Sequence, residues 1–78
     1  MAKVIPLISA EPNKLYRITE VTGEDNQHRR LVDMGFTPGS ELFVAGVAPF
    51  GGTILVSLRG FSVALRESAA ETIKVTAV

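Results

Sequence analysis

Two runs of strict alternation meet at a single glycine. Ile54, Val56 and Leu58 alternate with Leu55, Ser57 and Arg59; after Gly60, Phe61, Val63 and Leu65 alternate with Ser62, Ala64 and Arg66. Successive side chains of a strand point to opposite faces, so each run reads as a half-buried strand. Gly60 between them permits a tight turn or a bulge. A hairpin alone is marginal in water, so the remaining residues must extend this sheet and cover one face of it.

Turn signals divide the rest into pieces of strand length. Glu11-Pro12-Asn13-Lys14 reads as a turn, because proline presets φ and asparagine tolerates a left-handed backbone. A strand follows over residues 15–22, with Tyr16 and Ile18 on one face and Arg17 and Thr19 on the other. Gly23-Glu24-Asp25-Asn26 breaks it. The pattern then predicts a short helix over residues 26–34, with Asp25 as N-cap, Leu31 and Met34 on the buried face, and Gly35 as the left-handed C-cap. Phe36 is placed to pack back over the last helical turn. Thr37-Pro38-Gly39-Ser40 fits a type II turn. A strand spans residues 41–48, and Pro49-Phe50-Gly51-Gly52 connects it to the strand over 53–59. Ser68-Ala69-Ala70-Glu71 matches a capping box and predicts one helical turn. Ile73 and Val75 form a last short strand.

The expected fold is therefore all-β: a small, closed or nearly closed barrel of about five strands with a short helical insertion. The 78 residues make a single domain over 1–78, with an N-terminal arm over 1–12 and a barrel core over 13–77. A chain of this length buries only roughly 60% of its unfolded surface, so its core must be tightly patterned. The 46% hydrophobic content is enough for one.

Composition removes several function classes. Eight basic and eight acidic residues cancel, whereas a nucleic-acid binder carries a basic excess. The absence of cysteine excludes disulfides, thiolate metal sites and cysteine nucleophiles, and favours the cytoplasm. The opening residues, with one lysine and an apolar run broken by Pro6, are too short for a signal-peptide core. No segment approaches the ~20 apolar residues of a membrane helix. Enzyme readings fail on inventory: any general base would have to be His28, the one histidine, and nothing orients it. Gly51-Gly52 lacks the lysine and helix start of a phosphate-binding loop. No cofactor is expected.

The sharpest functional clue is an apolar surplus. Leu42 and Val44 share one strand face, but Phe43, Ala45 and Val47 occupy the other, which should be polar if it met water. Leu55 and the loop-tip Phe50 extend the surplus. Two readings follow: an exposed patch for a protein partner, or a face covered by the helix or the N-terminal arm, since Ile5, Leu7 and Ile8 must also pack somewhere. Phe43, Val47, Phe50 and Leu55 are the candidate contacts, with Arg29, Arg30, Arg59 and Arg66 as polar rim. His28 with Glu24 and Asp25 is a weak candidate for a divalent metal site.

Four blocks then point to a family. Residues 30–39 (RLVDMGFTPG), 47–52 (VAPFGG), 60–66 (GFSVALR) and 70–75 (AETIKV) stand in the order and spacing of the FeoA family. The chain resembles that family over about residues 15–75, with Asn13 where many relatives have glycine. The resemblance implies an SH3-like barrel with a helical insertion. It implies a small cytoplasmic protein that supports FeoB, the GTP-dependent ferrous iron transporter of the inner membrane. With no catalytic set and an apolar outer strand, the expected role is non-enzymatic docking on that transporter, through which any membrane association would come. The alternative is a stand-alone SH3-like regulatory domain related to the C-terminal domain of iron-dependent repressors.

Overall fold

The computed structural model describes residues 3–23, 26–47 and 52–78. Its elements run β1 (Val4–Pro6), a 3-10 turn (Leu7–Ser9), β2 (Lys14–Val21), α1 (Asn26–Asp33), β3 (Glu41–Val47), β4 (Thr53–Leu58), β5 (Phe61–Arg66), α2 (Glu67–Ala70) and β6 (Ile73–Ala77). All paired strands are antiparallel, in the order β1-β6-β2-β3-β4-β5. The expected alternation is kept. Tyr16, Ile18, Leu42, Val44, Ile54, Val56, Leu58, Leu65, Ile73 and Val75 are buried together on the inner face.

The connections explain how so short a chain curls. Gly39 has φ +92° and Ser40 N–H donates to the Thr37 carbonyl, as a type II turn requires. Asn13 adopts φ +64° in the turn before β2. Arg59 and Gly60, both at positive φ, make the two-residue turn between β4 and β5. At the end of α1, Phe36 N–H reaches the Leu31 carbonyl and Gly35 N–H the Val32 carbonyl. That is a Schellman motif, with Gly35 at φ +109° and Phe36 fully buried.

Four details differ from the sequence expectation. The sheet has six strands rather than about five, because the N-terminal residues pair with β6 through Val4↔Thr76, Ile5↔Val75 and Pro6↔Lys74. The arm is thereby part of the sheet, and Leu7 is fully buried under it. Met34 is not on the buried face: α1 ends at Asp33, the chain turns at Gly35, and Phe36 fills the core beyond Leu31. Finally, α2 begins at Glu67 with no side-chain cap, so Ser68 lies inside the turn instead of capping it. The proposed Asp25 cap and the hairpin tip over 48–51 lie outside the described residues.

Candidate functional site

The outer surface of the sheet is where the chain departs from a well-behaved small barrel. Register pairs Leu15 with Phe43 and Phe43 with Ser57, and sets Leu55 between Gly46 and Ala64. Leu15, Phe43 and Leu55 therefore share the outward face of β2, β3 and β4. They remain 42%, 39% and 43% exposed. The arm does not cover them: β1 lies at the far edge of the sheet, and Ile5 and Ile8 pack against the core. The helix does not cover them either. Of the two readings of the apolar surplus, exposure is the one realised at Phe43 and Leu55.

The rest of the expected set is redistributed. A bulge between Val44 and Gly46 shifts register by one residue, so Val47 pairs with buried Ile54 instead of continuing the face of Phe43. Val47 is exposed at the end of its strand, apart from Leu15 and Phe43 in register. Phe50 lies outside the described residues. The charged rim beside Phe43 is Arg17 with Glu41, joined by a 3.1 Å bond on the same outward face. Arg59 sits in the β4–β5 turn, 3.5 Å from Ser40 Oγ. Arg29 and Arg30, exposed on α1, gather with Arg66 around a separate groove between α1, β5 and α2.

His28 is half-buried, and its Nδ1 lies 3.3 Å from the Thr22 carbonyl oxygen. A carbonyl only accepts, so Nδ1 is the protonated nitrogen in that contact. Glu24 and Asp25 lie outside the described residues, and no cluster of three metal-ligating side chains occurs among the described ones. Among the described residues, shifted titrations belong to the exposed pair Glu11 and Lys14. Their hydrogen bond and mutual charge lower the Glu11 carboxyl and raise the Lys14 amine.

Leu15 and Phe61 are among the exposed apolar positions that the sequence reading did not name. Leu15 was accessible to it, since it alternates with Tyr16 and Ile18 and must face outward. Phe61 was not. Alternation groups it with Val63 and Leu65, yet it is 70% exposed, because it opens an edge strand with no neighbour beyond it.

The FeoA domain family matches residues 5–77, nearly the whole chain. The chain belongs to the FeoA family. The match begins earlier than the resemblance over residues 15–75, and so takes in the arm that forms β1. An NMR structure of a FeoA-like protein from Clostridium acetobutylicum is 35% identical, with a TM-score of 0.88, covering 100% of this chain and 91% of that one. The crystal structure of an iron uptake regulatory protein (FeoA) is 29% identical, with a TM-score of 0.86, over 97% of this chain and 100% of that one. A manganese-dependent transcriptional repressor has a TM-score of 0.89 at 22% identity; the chain covers 44% of it. That likeness shows the shared SH3-like fold. Among curated proteins, no sequence matches. FeoA membership supports a role in ferrous iron transport, and FeoA proteins are small accessory or regulatory domains. No described helix is long and apolar enough to cross a membrane.

Proposed function

We propose that this chain is an accessory module of ferrous iron transport that docks on the cytoplasmic part of a FeoB-type transporter. Contact is made through the outward face of β2, β3 and β4. The observation that carries this reading is the uncovered cluster of Leu15, Phe43 and Leu55 on a sheet whose core is already complete without it. Burying an exposed Leu or Phe side chain contributes about 1.5–3 kcal/mol in full. Each of these residues, some four-tenths exposed, thus holds roughly 1 kcal/mol for a partner. Arg17 and Glu41 at the rim set orientation more than affinity. The module acts without chemistry of its own: by binding one conformation of the transporter better than another, it shifts the population toward that conformation.

The test is a binding titration against the cytoplasmic part of FeoB, paired with iron uptake by full-length FeoB. Phe43→Thr with Leu55→Thr keeps β propensity and should weaken docking by roughly tenfold or more, at about 1 kcal/mol per residue. Unfolding of the isolated chain should shift little, because both side chains are already partly in water. No binding by the parent chain, together with uptake that ignores its presence, overturns the proposal. The stand-alone regulatory reading rests on the repressor likeness, which is one of fold.

A further inference from the structure

The opposite end of the sheet carries a second site, independent of the outward apolar face. β5 is the terminal strand, and β4 is its one sheet neighbour among the described residues. The two-residue turn makes Leu58 and Phe61 the closing hydrogen-bonded pair. Hydrogen bonding alternates along an antiparallel pair, so Phe61, Val63 and Leu65 turn their backbone groups toward β4. The next residue in that series, Glu67, does so too: its N–H donates to the Gly52 carbonyl. Ser62, Ala64 and Arg66 therefore aim their N–H and C=O groups away from the sheet. An unpaired edge of this kind is a template for another strand.

At Ala64 and Arg66 the β5 edge forms one wall of a groove of about 940 Å³ whose other wall is α1, with Arg29, Arg30 and exposed Met34 along it and Leu31 and Leu65 buried at its floor. Gln27 Nε2 donates to the Ser68 carbonyl, tying α1 to α2 beside the groove. Met34, 45% exposed, is the apolar side chain that the helix failed to bury. Among the described residues the groove's charge is lopsided: Arg29, Arg30 and Arg66 line it with one carboxylate, Asp33, in a chain whose formal net charge is zero. None of the three arginines forms an ion pair among the described residues.

We propose that this groove takes an extended segment of a partner protein in which acidic and apolar residues alternate, added as a seventh strand on β5. Backbone bonds to residues 62, 64 and 66 supply the register. Alternate apolar side chains rest on exposed Met34, above the buried Leu31 and Leu65, while the carboxylates meet the arginine forks. Charge selects this occupant over the others. A second copy of the chain would bring its own three arginines against these three. A nucleic acid would find only three cations on a molecule with no net positive charge.

The experiment is a two-dimensional NMR titration of the full chain at low ionic strength with the peptide acetyl-Glu-Val-Glu-Val-Glu-Val-amide. Saturable shifts are expected in residues 26–34 and 62–66, with slowed amide exchange at Ser62, Ala64 and Arg66 and none added at Val63 and Leu65. Arg30→Glu with Arg66→Glu should weaken the peptide by roughly tenfold, the scale of lost charge-assisted bonds. Ala64→Pro should abolish binding while keeping the fold, because proline is tolerated where a strand's N–H faces outward. If that variant unfolds, a peptide N-methylated at alternate amides gives the same readout on the parent chain. Shifts confined to Leu15, Phe43 and Leu55 would overturn the proposal. So would equal binding of the matching Lys-Val peptide, or displacement of the peptide by inorganic phosphate. Concentration-dependent shifts along β5 without peptide would assign the edge to a second copy instead, and overturn it as well.

Discussion

Arg59 holds φ +51° at the first position of a two-residue turn, where an ordinary side chain meets a steric cost of about 1–2 kcal/mol. Asparagine tolerates that region, and Asn-Gly is the favoured pair for such a turn. Arg59→Asn should therefore stabilise the isolated chain by about 0.5–1 kcal/mol, read as a higher urea midpoint with an unchanged slope. The hydrogen bond from Arg59 to Ser40 Oγ, which the substitution removes, is long and exposed and offsets little of this. A lower midpoint would mean that the arginine stem covers Gly35 and Leu58 to greater effect than the strain costs. Thr76 offers a second gain. Its Oγ1 is buried with no hydrogen-bond partner among the described residues. An unmet hydroxyl costs about 1–3 kcal/mol, and valine has nearly the same shape. Thr76→Val should raise the melting temperature by several degrees, since 1 kcal/mol is worth about 4–8 °C in a domain of this size. An unchanged or lower value would show that water satisfies the hydroxyl.

Among the elements, those dictated by backbone chemistry were legible in the residues. Pro38-Gly39, Arg59-Gly60 and Gly35-Phe36 each require a positive φ at a named place, and each turn formed there. The alternation of β4 and β5 placed the inward positions correctly except for Phe61, which stands exposed at the start of the edge strand. What could not be read were features fixed by pairing rather than by local pattern. The bulge beside Ala45 moves Val47 off its expected face; Gly46 is the one local hint of a bulge, and pairing with β4 fixes where the extra residue falls. β1 has three residues, one of them proline, and exists because β6 offers it an edge. That strand yields its own prediction. Removing residues 1–6 strips three pairings from β6 and takes away Ile5, which packs against the core. The expected loss is about 1–3 kcal/mol, from one partly buried isoleucine and its backbone bonds, seen as a lowered urea midpoint. An unaltered midpoint would show that the arm merely rests on the sheet.

At the scale of the molecule, the two surfaces differ in the force that acts on them, and salt separates them. The chain is neutral at pH 7, so no long-range field steers an approaching partner toward the Leu15, Phe43 and Leu55 face. Its charged rim, Arg17 with Glu41, is itself a neutral pair exposed to water. Association through this face should run near the unsteered rate of about 10⁵–10⁶ M⁻¹s⁻¹. Between low and high salt it should change by less than about threefold, because apolar burial carries no counterion term. Among the described residues the α1–β5 groove holds three arginines against one aspartate, and attraction there is screened within about 10 Å at ordinary ionic strength. Stopped-flow association with the cytoplasmic part of FeoB, repeated across salt concentrations, reads the difference directly. A rate nearly flat in salt places the contact on the apolar face. A steep fall with salt would move FeoB from that face to the arginine groove, and the docking assignment argued from Phe43 and Leu55 would be lost.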